Sequence, residues 1–439
     1  ITQTIIQNWI ENNQNYNSKN WEIDILSKRI ISWISNSKLT YENSEEEYKK
    51  KFNFLVKKQI NHLINEISRS ELIDDKMVGC AAIILSGLSY KHKKFLDYGL
   101  NLLKKIISYS FDNDGFPKSR NLRQLIFYLK YFILIRELLK ESQNEIPEYL
   151  NEIILYLGQT YNFTWQSTKL SFLFNGNNDS NHSDFDKYLQ IQGYKFKNIE
   201  NEIGGYAILK NKNTCIAMDI GNPPEKKYSI NYQSGVLSFE FIYKGKKLIT
   251  NSGYFQNFKH QLNSISKSTA THTSLVLDNN SICNFKKNSN GHSIIEKSFK
   301  ILDKKVICEK NIWKLKGSHD GYQKKYGVIH EREINFLLDS IKIVGKDKLI
   351  KKKNFKSTNF EVRFHFSPGA KLTKTQDGKV ILIELENSGW KFSCNDHLID
   401  VETGLYFGKK NSFSENQNIF ISGITNNEEQ IINWELSKI

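Results

Sequence analysis

A chain of 439 residues exceeds what one ordinary hydrophobic core organises and predicts two or three domains. With 39% hydrophobic and 13% aromatic residues it buries sizeable cores, which excludes global disorder, and no run reaches the roughly 18–20 apolar residues of a membrane span. Lysine plus arginine outnumber aspartate plus glutamate by 62 to 47, a formal charge of +15 that points to a polyanionic partner, although Lys, Asn and Ile are abundant throughout and compositional bias explains the same excess.

The first third predicts helices. Phe54, Ile60, Leu63, Ile64 and Ile67 recur at helical spacing, residues 78–88 form a short apolar helix, and Phe95, Leu96, Leu102, Leu103, Ile106 and Ile107 line one face of the next. The breaker-rich stretch 112–117 then joins it to a helix marked by Leu122, Leu125, Ile126, Leu129, Phe132, Ile133 and Leu139. Helical hairpins in series are the expected product. The asparagine-rich stretch 175–180 marks a change of texture, after which the period becomes two. Leu237, Phe239, Phe241 and Tyr243 alternate with their neighbours, Lys244-Gly245-Lys246 turns, and strand-like runs recur at 207–209, 214–219, 273–277, 306–310, 331–336, 361–366 and 380–385. This predicts an α+β multidomain protein, with a helical domain over 1–165 and a large antiparallel β-sandwich over 180–439.

Several chemistries are disfavoured. Cys80, Cys215, Cys283, Cys308 and Cys394 are odd in number and show no C-x-x-C spacing, so neither a disulfide framework nor a cysteine metal site is expected. The lysine-dense stretch 346–356 reads as a solvated loop between strands, and no zinc-finger, heptad or recognition-helix pattern accompanies it. Nucleic acid is therefore not the expected partner.

A series of segments resembles one family. Trp21 with the helix-like run 26–34, Asp114-Gly115 with Ser119-Arg120-Asn121, and Leu237-Ser238-Phe239-Glu240 followed by Asn251-Ser252-Gly253 and Thr269-Ala270-Thr271-His272-Thr273 are similar to heparinase II/III-like proteins. Ser318-His319-Asp320-Gly321-Tyr322, Tyr326-Gly327-Val328-Ile329-His330 with Arg332, and Arg363-Phe364-His365-Phe366 with Pro368 continue the series in the same order and spacing. The resemblance covers nearly the whole chain and fits an uncharacterised bacterial branch. It implies an incomplete α/α toroid followed by the sandwich. It also implies a lyase that cleaves acidic polysaccharides by β-elimination at a uronate: a polar group neutralises the carboxylate, a Tyr or His takes the proton, and an acid protonates the leaving oxygen. A zinc held by two His and one Asp belongs to the same picture.

Where the family carries His-x-His-x-Asp, this chain has Asn231, Gln233 and Gly235; the Asp ligand of the next strand falls on Asn251, and His272 alone is kept. Gln233, Asn251 and His272 make a degenerate metal site, so no zinc and no other cofactor is expected. The polar residue of the helical loop falls on Pro117, with Arg120 or Asn121 nearby as stand-ins. The remaining candidates are His319, Tyr322, Asn231 and His272 for catalysis, and Arg120, Asn121, Gln233, Tyr254 and Arg332 for binding substrate. The expected partner is an acidic polysaccharide or oligosaccharide, with no membrane span. An active lyase is the first expectation, and a non-catalytic acidic-glycan-binding protein derived from one is the alternative. The resemblance implies a periplasmic or cell-envelope location, with the cytoplasm as the other choice; a start at Ile1 rather than Met leaves the export signal open.

Overall fold

The computed structural model describes residues 1–426 and 429–439. Chain contacts group it into two compact units, Ile1–Gly115 with Gln124–Gly158, and Phe116–Arg123 with Gln159–Ile439. The architecture is an incomplete helical toroid followed by a large antiparallel β-sandwich.

In the first unit, the helices Ile23–Ser35, Glu46–Glu66, Ile73–Ser89, Lys93–Ser110, Leu122–Glu141 and Glu148–Tyr161 follow one another as hairpins. The helix expected at 78–88 is longer, and every residue from Met77 to Gly87 is buried. A helix apolar all round fits a central position among its neighbours, whereas Lys93–Ser110 keeps one apolar stripe on Leu103 and Ile106. Leu26, Ile30, Phe52, Leu55, Ile60 and Leu63 share one core. Phe54 departs from the expected face: it is exposed, because the helix buries Phe52, Leu55 and Val56 instead. No helix among the described residues is long and apolar enough to cross a membrane.

In the second unit, one sheet runs in the order Glu202–Ile203, Tyr206–Lys210, Thr214–Asp219, Phe239–Tyr243, Lys246–Thr250, Asn359–Phe366, Ser414–Ile424 and Ile399–Tyr406, with Leu275–Leu277 also paired to Asn359–Phe366. The other runs Lys371–Lys374, Val380–Leu385, Ser388–Ser393, Gln430–Lys438, Lys342–Lys351, Val328–Leu337, Ile312–His319 and Ile301–Cys308. Period-two strands such as Val328–Leu337 turn one face inward, so the apolar faces of both sheets meet in a single core. Trp434 lies at its centre, stacked on Phe239 at 5.7 Å and edge-on to Phe364 at 4.7 Å. Its cross-strand neighbour is Gly345, where a Cβ would come within 2.0 Å of the indole. Each buried ring of this kind contributes roughly 1.5–3 kcal/mol.

Two sequence expectations change here. The lysines at 346–351 are not in a loop: they belong to the strand Lys342–Lys351, which buries Ile343, Gly345, Asp347 and Leu349 and turns Lys346 and Lys348 outward. Their density hid the period-two alternation. After the asparagine-rich stretch comes another helix, Ser183–Ile191, before the strands begin.

Candidate functional site

Side-chain amides gather the site. Residues 175–178 form no regular element, and Asn175 and Gly176 take left-handed backbone angles (φ 42° and 84°) that suit a short amide side chain and a glycine. Asn175 Nδ2 donates to the Tyr206 hydroxyl (2.6 Å) and to Asp219 Oδ2 (2.9 Å). The Gly176 N–H donates to Gln233 Oε1 (2.9 Å). Asn178 Nδ2 donates to the carbonyls of Tyr254 (2.6 Å) and Phe407 (2.7 Å), and its Oδ1 accepts from Gln256 Nε2 (2.6 Å). This short run therefore ties together segments around Tyr206 and Asp219, Gln233, Tyr254 and Phe407 that are far apart in sequence.

Tyr254 is the focus of what they build. Its hydroxyl donates to Asn231 Oδ1 (3.1 Å) and accepts from Asn263 Nδ2 (3.0 Å). Asn263 is held in turn by the Phe255 carbonyl at 2.6 Å. Half-buried Arg123 reaches Gln256 Oε1 at 3.4 Å, and its Nε carries no partner among the described residues. Asn121 packs beside Asn231: a Cβ on Gly176 would lie 2.6 Å from the Asn121 amide nitrogen and 3.0 Å from Asn231 Cβ. Burial pushes the Tyr254 phenol up to about 12, while the Asn263 bond and the Arg123 charge pull it the other way. The loop under Asn231 is braced by Lys267, whose buried ammonium donates to the carbonyls of Ile230 (2.5 Å) and Ser293 (2.6 Å), with no carboxylate beside it among the described residues. Burial lowers that ammonium to about 7.

The positions that the resemblance assigns to zinc hold a different structure. Gln233 Nε2 donates to the carbonyls of Gly253 (2.9 Å) and Ser266 (2.6 Å), so both ends of its amide are engaged. Asn251 Oδ1 accepts the Thr273 N–H (3.0 Å), and its Nδ2 reaches Glu240 Oε1 at 3.4 Å. His272 Nδ1 donates to the Ser268 carbonyl (2.8 Å), which leaves Nε2 as a buried lone pair without a partner among the described residues. One imidazole nitrogen and two neutral amides already committed to backbone and carboxylate partners do not fit a zinc ion.

The other expected site residues lie apart from Tyr254, in the scaffold. Arg120 is not available to a substrate carboxylate. Its guanidinium pairs with Asp219 (2.8 Å), donates to the carbonyls of Gly204, Gly205, Gly221 and Asn222, and lies over the Tyr206 ring. His319 is fully buried: Nδ1 accepts the Gly321 N–H (3.1 Å), and Nε2 meets His330 Nδ1 at 3.3 Å. His330 Nε2 meets Asp347 Oδ1 at 2.7 Å, so one tautomer assignment satisfies the whole chain and leaves His319 no nitrogen for a substrate. Arg332 grips Asp347 with two bonds and reaches the carbonyls of Leu237 and Thr273. The Tyr322 hydroxyl donates to the Leu275 and Asn280 carbonyls. Of the residues expected from sequence, Asn121, Asn231 and Tyr254 come together, with Gln233 beneath them. Arg123, Asn178, Gln256 and Asn263 escaped the sequence reading, and the density of amides at 175–178 was the one signal that pointed to them.

A family model described as "Heparinase II/III-like, C-terminal" matches residues 200–435. Among solved structures, a mutant of the heparan sulfate lyase HepC from Pedobacter heparinus has a TM-score of 0.76 at 13% identity, covering 99% of this chain and 72% of its own. A heparinase III gene product reaches 0.77 at 15% identity, covering 100% and 74%. A further heparinase III gives 0.76 at 14%, covering 99% and 72%. At these identities the likeness is one of fold. No curated protein matches the chain in sequence.

Proposed function

The chain belongs to the heparinase II/III-like family, and from that premise we propose that it is a polysaccharide lyase acting by β-elimination on an acidic, uronate-containing polysaccharide. One observation carries this reading. Tyr254 is held between a donor, Asn263, and an acceptor, Asn231, beside an arginine, Arg123, whose Nε has no partner among the described residues. Arg123 and the amides of Asn121 and Asn231 neutralise the uronate carboxylate, which acidifies the C–H next to it. Tyr254, as phenolate, takes that proton. The electron pair forms the new carbon–carbon double bond, the glycosidic C–O bond breaks, and the departing oxygen receives the proton back from Tyr254. Asn263 and Arg123 stabilise the phenolate. The net positive charge of the chain suits a polyanionic substrate.

The test is incubation with heparan sulfate, alginate and uronate-rich exopolysaccharides, following the ultraviolet absorbance of the unsaturated product. A rise that disappears in Tyr254→Phe supports the reading; no rise on any of them removes it. A non-catalytic acidic-glycan-binding protein is favoured by a different observation, the absorption of His319, Arg120 and the zinc positions into scaffolding. It predicts calorimetric binding of uronate oligosaccharides without turnover.

A further inference from the structure

The second unit contains a cavity of about 670 Å³ whose lining shares no residue with the Tyr254 cluster. That volume is in the range of small-ligand sites. Its chemistry is mixed in a particular way. Asp179 is fixed from behind: its N–H donates to the Gly408 carbonyl at 2.8 Å, and Oδ2 accepts the Tyr406 hydroxyl. Burial and the Asp179 charge push the Tyr406 phenol up, which keeps it a donor. The Asp179 side chain is still 45% exposed, so it presents carboxylate oxygen to the cavity. Below it, buried Lys247 pairs with Glu240 at 3.1 Å and lies 3.7 Å from Asp179 Oδ1. Three more lysines ring the cavity. Exposed Lys169 pairs with the largely buried Asp186, exposed Lys246 with exposed Glu386, and exposed Lys409 has no carboxylate partner among the described residues. Trp165 and Tyr406 supply aromatic wall.

A rigid carboxylate beside a lysine and a phenol matches the alternating acceptors and donors of vicinal hydroxyls, and aromatic surface suits the C–H face of a sugar. Exposed ammonium groups around the mouth select for a negative substituent. We propose that this cavity is a second saccharide site, which takes an anionic sugar unit with its hydroxyls on Asp179 and its carboxylate or sulfate on Lys409 and Lys169. The proposal deepens the reading of the chain as acting on an acidic glycan, and gives that glycan a second point of attachment.

Calorimetry on the Tyr254→Phe variant tests it with three probes: a short uronate oligosaccharide, a sulfated one and a neutral glucan oligomer. The expected result is two classes of site for at least one anionic probe and no binding of the neutral one; which anionic probe binds identifies the substituent. The Lys169→Glu/Lys409→Glu change is expected to weaken one class by about tenfold or more, from the loss of two ion pairs and added repulsion. Should the double variant fail to fold, Lys409→Glu alone, at an exposed position, carries the same test with a smaller shift. A single class of site indifferent to these lysines, or equal binding of the neutral oligomer, overturns the proposal. Two classes of site in a wild-type protein that turns over no glycan would remove the lyase reading and leave this one. Turnover with a single class of site does the reverse.

Discussion

Tyr254 and Arg120 illustrate two opposite uses of a buried polar side chain. Tyr254 keeps a titratable proton between two amides, and burial raises its phenol to about 12. If the phenolate is the base, kcat/KM rises about tenfold per pH unit from neutrality into the alkaline range, and Tyr254→Phe lowers kcat by about 10²–10⁴-fold while KM moves little. A flat pH profile would assign the proton transfer to another group. Arg120, by contrast, spends its guanidinium on Asp219 and four carbonyls. Breaking a buried pair leaves an uncompensated charge, so Asp219→Asn is expected to cost about 3–5 kcal/mol in urea unfolding. Sequence marked both residues as candidates, because an arginine and a tyrosine in matching loops look alike until their partners are known.

Arg123 comes from the first turn of helix Leu122–Glu141 and Asn263 from the short helix Gln261–Ser266, but Asn121, Asn231 and Tyr254 sit on loops, and those loops are held by side chains. Gln233 bonds Gly176, Gly253 and Ser266 where the family resemblance implies a metal ligand. Dialysis against a chelator is therefore expected to leave the melting temperature unmoved, while Gln233→Ala costs roughly 2–4 kcal/mol through orphaned backbone groups. A chelator-induced drop in melting temperature would show that a metal does organise this region. Lys267 does the same for the other end of the loop, through the Ile230 and Ser293 carbonyls. Lys267→Met should lower turnover about tenfold by displacing Asn231, with circular dichroism unchanged. Turnover equal to wild type would mean that Asn231 keeps its place without the brace. None of these pairings was legible in sequence: residues 175–178 and 229–235 have neither periodicity nor motif, and hydrogen bonds that span 20 to 57 positions leave no local trace.

For the molecule as a whole, the buried histidines set an acid limit. Burial lowers His272 to about 4 and His365 to about 3, and holds His319 and His330 below their usual range. Unfolded histidines take up protons below about pH 6.5 that these folded ones refuse, so the unfolded state binds more protons and stability falls as pH drops. His272 and His365 each cost roughly 1 kcal/mol of stability per pH unit as pH falls from about 6.5 toward their folded values, His319 and His330 act in the same direction, and urea midpoints from pH 7 to 4 should fall steeply. A flat midpoint over that range would contradict their neutral burial. The sequence by itself determined the order of the parts: helical hairpins first, then a sandwich, with helix Leu122–Glu141 and strand Phe239–Tyr243 readable from apolar spacing. That is because burial on one face imposes a local period, 3.6 or 2, that the chain must carry. Only the tertiary structure decided which polar residues act together. It sent His319, Arg332 and Tyr322 into the sandwich interior and brought Asn121, Arg123, Asn231 and Tyr254 to one place, because side-chain partnership is settled by long-range packing and by the need to satisfy every buried polar atom.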